Sequence, residues 1–411
     1  MTNQVFNTDF DPERVESSTD RHARFRELRE KCPMARSNAH GGFRLASRYE
    51  DACAVAGNAD IFSSAKIFNE ELGRWEGGAI VPSLPMRFIP SETDSPEWDR
   101  YRGVLNPYFG PKPVEQRRAS FTEHAHSLID HHIETGRIDF VLDIGNPLSA
   151  IGTMSLVGFP LDDWWEWAKP FHEITYHATG SAGLARAAKD IEWVYARMRE
   201  TIGQRRTQPA EDLLSILMQQ EPLGGPLSDD EIFELCVQLM GGSIETTTAL
   251  IANALMYLDT DHGSRTRLVN DRKLLRPAFD EFLRYFTPVQ NAARRATVAT
   301  EICGQEIAAG ETILMSWASA NRDERVFKDA DQLLIDRPSN RHLAMGRGKH
   351  FCLGSFQARM MFEVVMNAVL DRLPAYQIVR NEAVRYPSVG NVNGWVQMPA
   401  TFPPSARIAA P

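Results

Sequence analysis

The chain is poor in patterned cysteine. Its 411 residues hold five, Cys32, Cys53, Cys236, Cys303 and Cys352, and none is spaced from another as a metal-binding pair or a disulfide framework requires. That usage fits a reducing cytoplasm. Positive charge is in deficit: 45 Lys and Arg stand against 54 Asp and Glu, a net −9, which argues against nucleic acid as a main partner. Long uncharged apolar runs are missing too. Met1 to Arg14 is polar and acidic, with no stretch that suits a signal peptide or a membrane span. No flavin or iron–sulfur motif occurs, so electrons for any redox chemistry must come from a partner. What is there is an ordinary soluble composition, 43% hydrophobic and 24% charged, sufficient for a large core. A cytoplasmic protein without membrane contact is expected.

The rest is organised around Ala344-Met345-Gly346-Arg347-Gly348-Lys349-His350-Phe351-Cys352-Leu353-Gly354. One cysteine follows a glycine-rich loop and precedes a helical pattern from Ser355 to Leu373. Glycines allow φ > 0, so amide N–H groups can turn toward the sulfur. The helix turns its positive end to the same atom. Both effects favour the thiolate, which is the metal-binding form. No second cysteine lies nearby, so a paired-cysteine zinc site is excluded. A lone cysteine is by itself more often a buried core residue; the ordered pattern around this one reverses the odds. A single rigid thiolate suits haem iron.

A second stretch carries a local conflict. Ser228-Asp229-Asp230-Glu231 reads as a capping box, and a mostly apolar helix is expected from there to about Leu258. Its middle, Gly241-Gly242-Ser243-Ile244-Glu245-Thr246-Thr247-Thr248, is rich in poor helix formers. Such conflicts tend to mark function. Glycine lets a flat ligand approach the backbone. A threonine hydroxyl can bond the carbonyl four residues back. Glu245 can take up and deliver protons. A threonine taken singly would more often be a packing residue.

The first stretch resembles the haem-binding loop of the cytochrome P-450 family, Phe-Gly-x-Gly-x-His-x-Cys-x-Gly, with Met345 in the Phe position. The second resembles that family's oxygen-activating motif, Ala/Gly-Gly-x-Asp/Glu-Thr-Thr, with Ser243 in place of the second Gly. A Glu-x-x-Arg pair, Glu281 and Arg284, lies between them. The resemblance runs from about Asp20 to the end and implies a mostly α fold with a small β region. Residues 1–19 are expected as a flexible arm and 20–411 as one haem domain.

The resemblance further implies haem b as cofactor, with Cys352 as the metal ligand and O2 as co-substrate. Glu245 and Thr246 would be catalytic. Trp98, Arg102, Arg294 and His350 would hold the haem propionates, with Gly242 and Phe351 against the haem. Ile244, Val289, Asn291, Ala292 and Val392 would face substrate. Glu281, Arg284 and Arg337 would form a structural lock. The implied reaction is monooxygenation of a small-to-medium hydrophobic molecule. Arg87-Phe88-Ile89-Pro90 is similar to camphor- and terpenoid-hydroxylating bacterial members, and natural-product scaffolds stay open. Electrons would come from a ferredoxin with its NAD(P)H reductase, docked near Arg347, Lys349 and Arg359. A monomer is expected. The alternatives are a peroxide-driven peroxygenase and a haem-binding sensor or carrier without turnover.

Elsewhere the reading is coarse. Helices are expected over Asp20–Cys32 and Tyr49–Gly57, with a strand over 42–47. Residues 66–93, with three glycines and three prolines, are expected as an irregular loop that lids the pocket. Long helices are expected over Leu128–Leu156 and Asp162–Ile202, and a hairpin over Ile302–Ile313.

Overall fold

The computed structural model describes residues 6–14, 18–177, 180–222, 224–387 and 391–408, without the side chains of 18 and 19. It is mostly helical, with the strands of the described residues divided among one six-stranded, one three-stranded and three two-stranded sheets. The central helix, Asp229–Leu258, has the expected ends. Ser228 Oγ accepts from the Glu231 amide at 3.2 Å, and the Glu231 carboxylate accepts from the Ser228 amide at 2.7 Å. At about 1.5 Å per residue it spans roughly 45 Å. Apolar side chains on its two halves join two separate cores. Leu250, Ile251, Leu255 and Leu258 pack with Phe279, Phe282, Phe362 and Tyr376. Ile232, Leu235, Cys236 and Met240 pack with Tyr101, Trp167, Phe171 and Met198. Burial on both halves explains why a helix long and apolar enough to cross a membrane sits inside the protein. Phe140–Val157 passes the same test of length and apolarity and is equally buried.

The main sheet has six strands in the order Asn7–Thr8, Met34–Ser37, Phe43–Ala46, Thr312–Ser316, Asn291–Ala296 and Phe62–Ser63. The strand that carries Arg294 is held on both edges. Ala293 pairs with Leu314 and Arg294 with Ile313, while Ala296 pairs with Phe62.

Several expectations are corrected. The arm expected over 1–19 is not loose where it is described: Asn7–Thr8 pairs parallel to Met34–Ser37, and Phe10 is fully buried against Phe25 and Phe43. Residues 1–5 and 15–17 lie outside the described residues. The 66–93 loop contains a hairpin, Lys66–Asn69 with Arg74–Gly77, stapled by a buried pair: Lys66 Nζ is 3.4 Å from Glu92 Oε2. The helix expected over Leu128–Leu156 stops at Asp130, and turns carry the chain to Gly136 (φ +68°), where a Cβ would meet the Phe402 carbonyl at 2.9 Å. A strand, Arg137–Asp139, and a π-helix, Phe140–Gly145, follow it. Asp162–Ile202 is two helices, Trp164–Tyr176 and Ala182–Thr207, the second capped by Ser181. The hairpin expected over Ile302–Ile313 is shorter. Thr300–Ile302 and Gln305–Ile307 turn at Cys303-Gly304, both at positive φ as a tight primed turn needs, and Thr312–Ser316 joins the main sheet.

Glu281, Arg284 and Arg337 form the expected lock. Both Glu281 oxygens accept from Arg284 at 2.8 Å, and Oε2 accepts from Arg337 Nε at 2.9 Å. Asn340 Nδ2 and the Leu334 amide complete the carboxylate's shell. Arg284 donates onward to the carbonyls of Asn321, Ala330 and Gln332. Glu281 and Arg284 are fully buried and Arg337 nearly so. Removing one partner from a buried pair leaves an uncompensated charge, at a cost of about 3–5 kcal/mol. Glu281→Ala is therefore expected to lower the unfolding free energy by about that amount, read by chemical denaturation. A loss below about 1 kcal/mol would mean the cluster is a solvated surface pair instead.

Candidate functional site

The cysteine loop is built on two glycines, Gly346 and Gly348, each at φ +71°. Any Cβ at Gly348 would stand 2.5 Å from the Ala56 carbonyl oxygen, so this glycine is also needed for close packing on the helix Tyr49–Gly57. The loop closes where the Cys352 amide donates to the Met345 carbonyl at 2.8 Å. Met345 packs on the core around the helix Ser355–Arg372, which is what its apolar side chain is suited to. Leu353 packs on the second core, to which Leu239, Met240 and Ile244 of the central helix also belong.

The sulfur's state differs from the expectation. Burial pushes the Cys352 thiol up, and this outweighs the Gly354 amide and the Arg102 charge that pull it down. Loop and helix by themselves do not produce a thiolate. A cation bonded to sulfur is needed. Among the described residues no group of three His, Cys, Asp or Glu side chains can hold a bare metal ion. One sulfur suits a metal that brings its other ligands with it.

Beside the loop lies a set of cationic and N–H donors with no carboxylate partner among the described residues. Trp98 Nε1 is buried with no hydrogen-bond partner. Its ring is 5.9 Å from the His350 ring, from the Arg102 guanidinium and from Lys349 Nζ. Arg102 donates to the Phe351 carbonyl at 2.9 Å, so helix Glu97–Phe109 is tied to the cysteine loop. Arg294 is 5% exposed, donates to the Ala293 carbonyl, and has no carboxylate within 4.0 Å among the described residues. Burial holds its pKa down to about 10, against the attraction of Asp94. His350 is held down to about 3, first by burial and then by the charges of Arg294, Arg102 and Lys349. Three cations, a neutral imidazole and an orphaned indole N–H call for anionic acceptors. The two carboxylates of haem b fit this donor set.

On the central helix, Gly242 is exposed and Thr246 half-buried where the helix is otherwise mostly buried. Thr246 Oγ1 donates to the Gly242 carbonyl at 2.8 Å, a bond within its own helix. Ser243 points elsewhere: its Oγ lies 2.7 Å from Thr153 Oγ1 on helix Asn146–Val157. The serine at the second glycine position therefore does not narrow the face that Gly242 presents. Ile244 is a correction. It is fully buried in the second core, because two residues after Gly242 a helix has turned through about 200°. Val289 and Val392 are brought together by an antiparallel bridge, extended by Gln290 to Asn391 and Asn393 to Pro288 bonds. Asn291 and Ala292 continue that strand, half-buried.

Glu245 does not reach toward Thr246. It is 3% exposed, and its carboxylate is bonded to His172 Nδ1 at 3.0 Å and to the Tyr386 hydroxyl. Sequence reasoning missed both partners. His172 lies in an aromatic-rich helix that reads as core packing, and Tyr386 lies in the irregular C-terminal region. Of the expected docking cations, Arg359 is already paired with Asp280 at 2.7 Å and stacked on Phe279, so its charge is neutralised. Arg347 and Lys349 are exposed, next to the 45%-exposed Phe351.

The cytochrome P-450 sequence profile matches residues 261–375. A steroid C26-monooxygenase of Mycolicibacterium smegmatis is 32% identical over 390 residues, 94% of each chain. A mycinamicin IV hydroxylase/epoxidase of Micromonospora griseorubida is 30% identical over 363 residues, 86% of this chain and 88% of its own. Among solved structures, a cytochrome P-450 of Mycobacterium marinum in complex with pseudoionone superposes with a TM-score of 0.85 at 25% identity, covering 97% of this chain and 99% of the other. The fold and relatives define a haem-dependent oxygenase. The chain belongs to the cytochrome P-450 family, and its cofactor is haem with O2 as co-substrate.

The orphaned indole gives a direct test. Trp98→Phe keeps the ring and removes the one donor, which is worth about 1.5–3 kcal/mol against a charged acceptor. Haem transfer to an acceptor globin is expected to speed up about tenfold or more, with thermal stability of the haem-free chain unchanged. An unchanged transfer rate would place Trp98 outside the haem site.

Proposed function

We propose that this monooxygenase hydroxylates or otherwise oxidises a hydrophobic terpenoid, steroid or related natural product, with electrons from a redoxin-type partner. The chain's class as a cytochrome P-450 monooxygenase is given by its relatives; substrate and partner are the proposal. The observation that carries the site is the lone Cys352 on its two-glycine loop, set against Gly242 and Thr246 with a donor-only cluster alongside.

When bound, haem supplies O2 binding, O–O cleavage and oxidation of a substrate C–H bond, aided by electron density from a sulfur ligand. The chain's own residues do the rest. Cys352 is the metal ligand. Arg102, Arg294, His350 and Trp98 hold the carboxylates. Gly242 leaves room against the helix for a flat group, with Phe351 on the loop side. Thr246, its hydroxyl proton committed to the Gly242 carbonyl, presents lone pairs that can hold a water at that face. Glu245 stores the proton one residue away and swings to deliver it. Val289, Asn291, Ala292 and Val392 wall the substrate side.

The relatives support an apolar substrate of terpenoid or macrolide size: one is named for a steroid, another for a mycinamicin, and one solved structure holds pseudoionone. The exposed Arg347 and Lys349 beside Phe351 and Phe356 suit an acidic partner with an apolar contact. A monomeric cytoplasmic enzyme with one haem domain follows from the same reading. Peroxide-driven and non-catalytic readings are not favoured, because the acid–threonine pair is retained.

Two measurements test this. The reduced, carbon monoxide-treated protein should show the red-shifted Soret band of a thiolate ligand, and Cys352→Ala should abolish it. A band that survives the substitution overturns the ligand assignment. Titration against steroids, terpenoids, macrolides, aromatics and fatty acids should shift the Soret band for the first three classes. With the responding compound, Thr246→Ala should lower product per NADPH by about tenfold or more, the scale of lost proton delivery, with peroxide rising to match.

A further inference from the structure

Glu245 is one member of a buried cluster that joins three parts of the chain. His172 comes from helix Trp164–Tyr176, Glu245 from the central helix, and Tyr386 from the segment before strand Trp395–Gln397. His172 Nε2 lies 2.9 Å from the Val396 carbonyl oxygen. A carbonyl only accepts, so Nε2 must carry a hydrogen. His172 Nδ1 then faces the Glu245 carboxylate at 3.0 Å. That contact also needs one proton, either on the imidazole, giving an imidazolium and a carboxylate, or on the carboxyl, giving two neutral groups. In both cases the pair holds one more proton than a lone carboxylate beside a neutral histidine. The Tyr386 hydroxyl donates to the other Glu245 oxygen and sits 3.3 Å from Nδ1.

We infer that His172 and Tyr386 are positioning residues for Glu245, holding its carboxylate turned away from Thr246, about 100° round the central helix, and returning a proton to it after each delivery. The inference rests on the reading of Glu245 as proton donor. The balance is simple. Glu245 loses its carboxyl proton on the Thr246 side and returns as a carboxylate. The Nδ1–H bond of His172 breaks and an Oε1–H bond forms, leaving a neutral imidazole that keeps Nε2–H. Solvent supplies the next proton to Nδ1. The groups that face His172 are Glu173 and Tyr176 on its own helix, Glu245 on the central helix, Tyr386, and the Val396 carbonyl; Arg186 acts only on Tyr176. Burial lowers the His172 pKa, but the charge and hydrogen bond of Glu245 outweigh it, and the net direction is up.

A raised histidine pKa gives a defined sign. The stability it contributes is fully present below the ordinary histidine value and is lost as pH rises through the raised one. In the haem-loaded, carbon monoxide-bound protein, the histidine NMR signal absent in His172→Gln should titrate above the ordinary value, and Glu245→Gln should bring it down. In NADPH oxidation with a reconstituted ferredoxin chain, His172→Gln should stay within about twofold of wild type at pH 6 and fall about tenfold at pH 8, with Tyr386→Phe in between. An ordinary titration in wild type, a titration unmoved by Glu245→Gln, or a wild-type pH profile in His172→Gln overturns the inference. If Glu245→Gln itself keeps the wild-type profile, the proton-donor reading falls and takes the relay with it, and a shifted histidine signal then records only a structural pair.

Discussion

The site depends on one buried carboxylate. Glu281 pairs with two buried arginines, and each arginine spends its remaining N–H groups on backbone carbonyls of residues 321–332. Those carbonyls belong to the irregular stretch that leads to the cysteine. Asn321 carries the constraint onward: its side chain accepts from the Leu343 amide at 2.7 Å and donates to Thr287 Oγ1 at 2.9 Å. Leu343 in turn accepts from Gly346, and Met345 from Cys352. An irregular loop has no ladder of its own to fix it. Here the fixing comes from side chains whose charges would be very costly if they moved apart. Rigidity at Cys352 is thus delivered over roughly seventy residues of sequence from an ion cluster that does no chemistry.

The central helix solves a different problem. It has to be a structural beam and a reactive surface at once. Its ends and flanks supply the beam, through the capping box and two apolar cores. Its middle uses residues that lower helix propensity by up to about 1 kcal/mol each, and packing around them holds the helix regardless. Neighbouring positions then look in different directions. Gly242 and Thr246, four apart, share the open face. Ser243 meets Thr153, Ile244 enters the core, and Glu245 meets His172 and Tyr386. An acid next in sequence to the threonine is therefore on another face of the helix, and its reach to the threonine side depends on side-chain rotation.

How much of this could be read from residue order alone differs by element, for physical reasons. The cysteine loop, the capping box and the Glu-x-x-Arg pair were legible because each is local: glycine φ, a four-residue cap and an i,i+3 spacing. The donor cluster was legible only through resemblance, since Trp98, Arg294 and His350 lie on separate elements. The breaks inside Leu128–Leu156 and Asp162–Ile202 were not seen, because the helix ends at Asp130 and Tyr176 interrupt patterns that stay apolar on either side. Ile244, set at the substrate side through the resemblance, enters the core because helix rotation carries it away from the Gly242 face. His172 and Tyr386 were invisible, as nothing local marks a histidine and a tyrosine 214 residues apart that meet one carboxylate.

The chain and its cofactor complete each other electrostatically. On one side of the site the protein gathers cationic and N–H donors that have no internal carboxylate to meet. On the other it holds a thiol that burial keeps protonated. Each arrangement costs free energy in the chain alone. A single group that is anionic at its edge and cationic at its centre relieves both together, and a flat one is matched to the exposed face of Gly242. Because the relief exists only in the folded arrangement, binding that group must stabilise the fold. The same coupling explains the choice of lock. A site that is strained until filled needs a scaffold that does not relax, and the Glu281 cluster, fully satisfied within the chain, is independent of the cofactor.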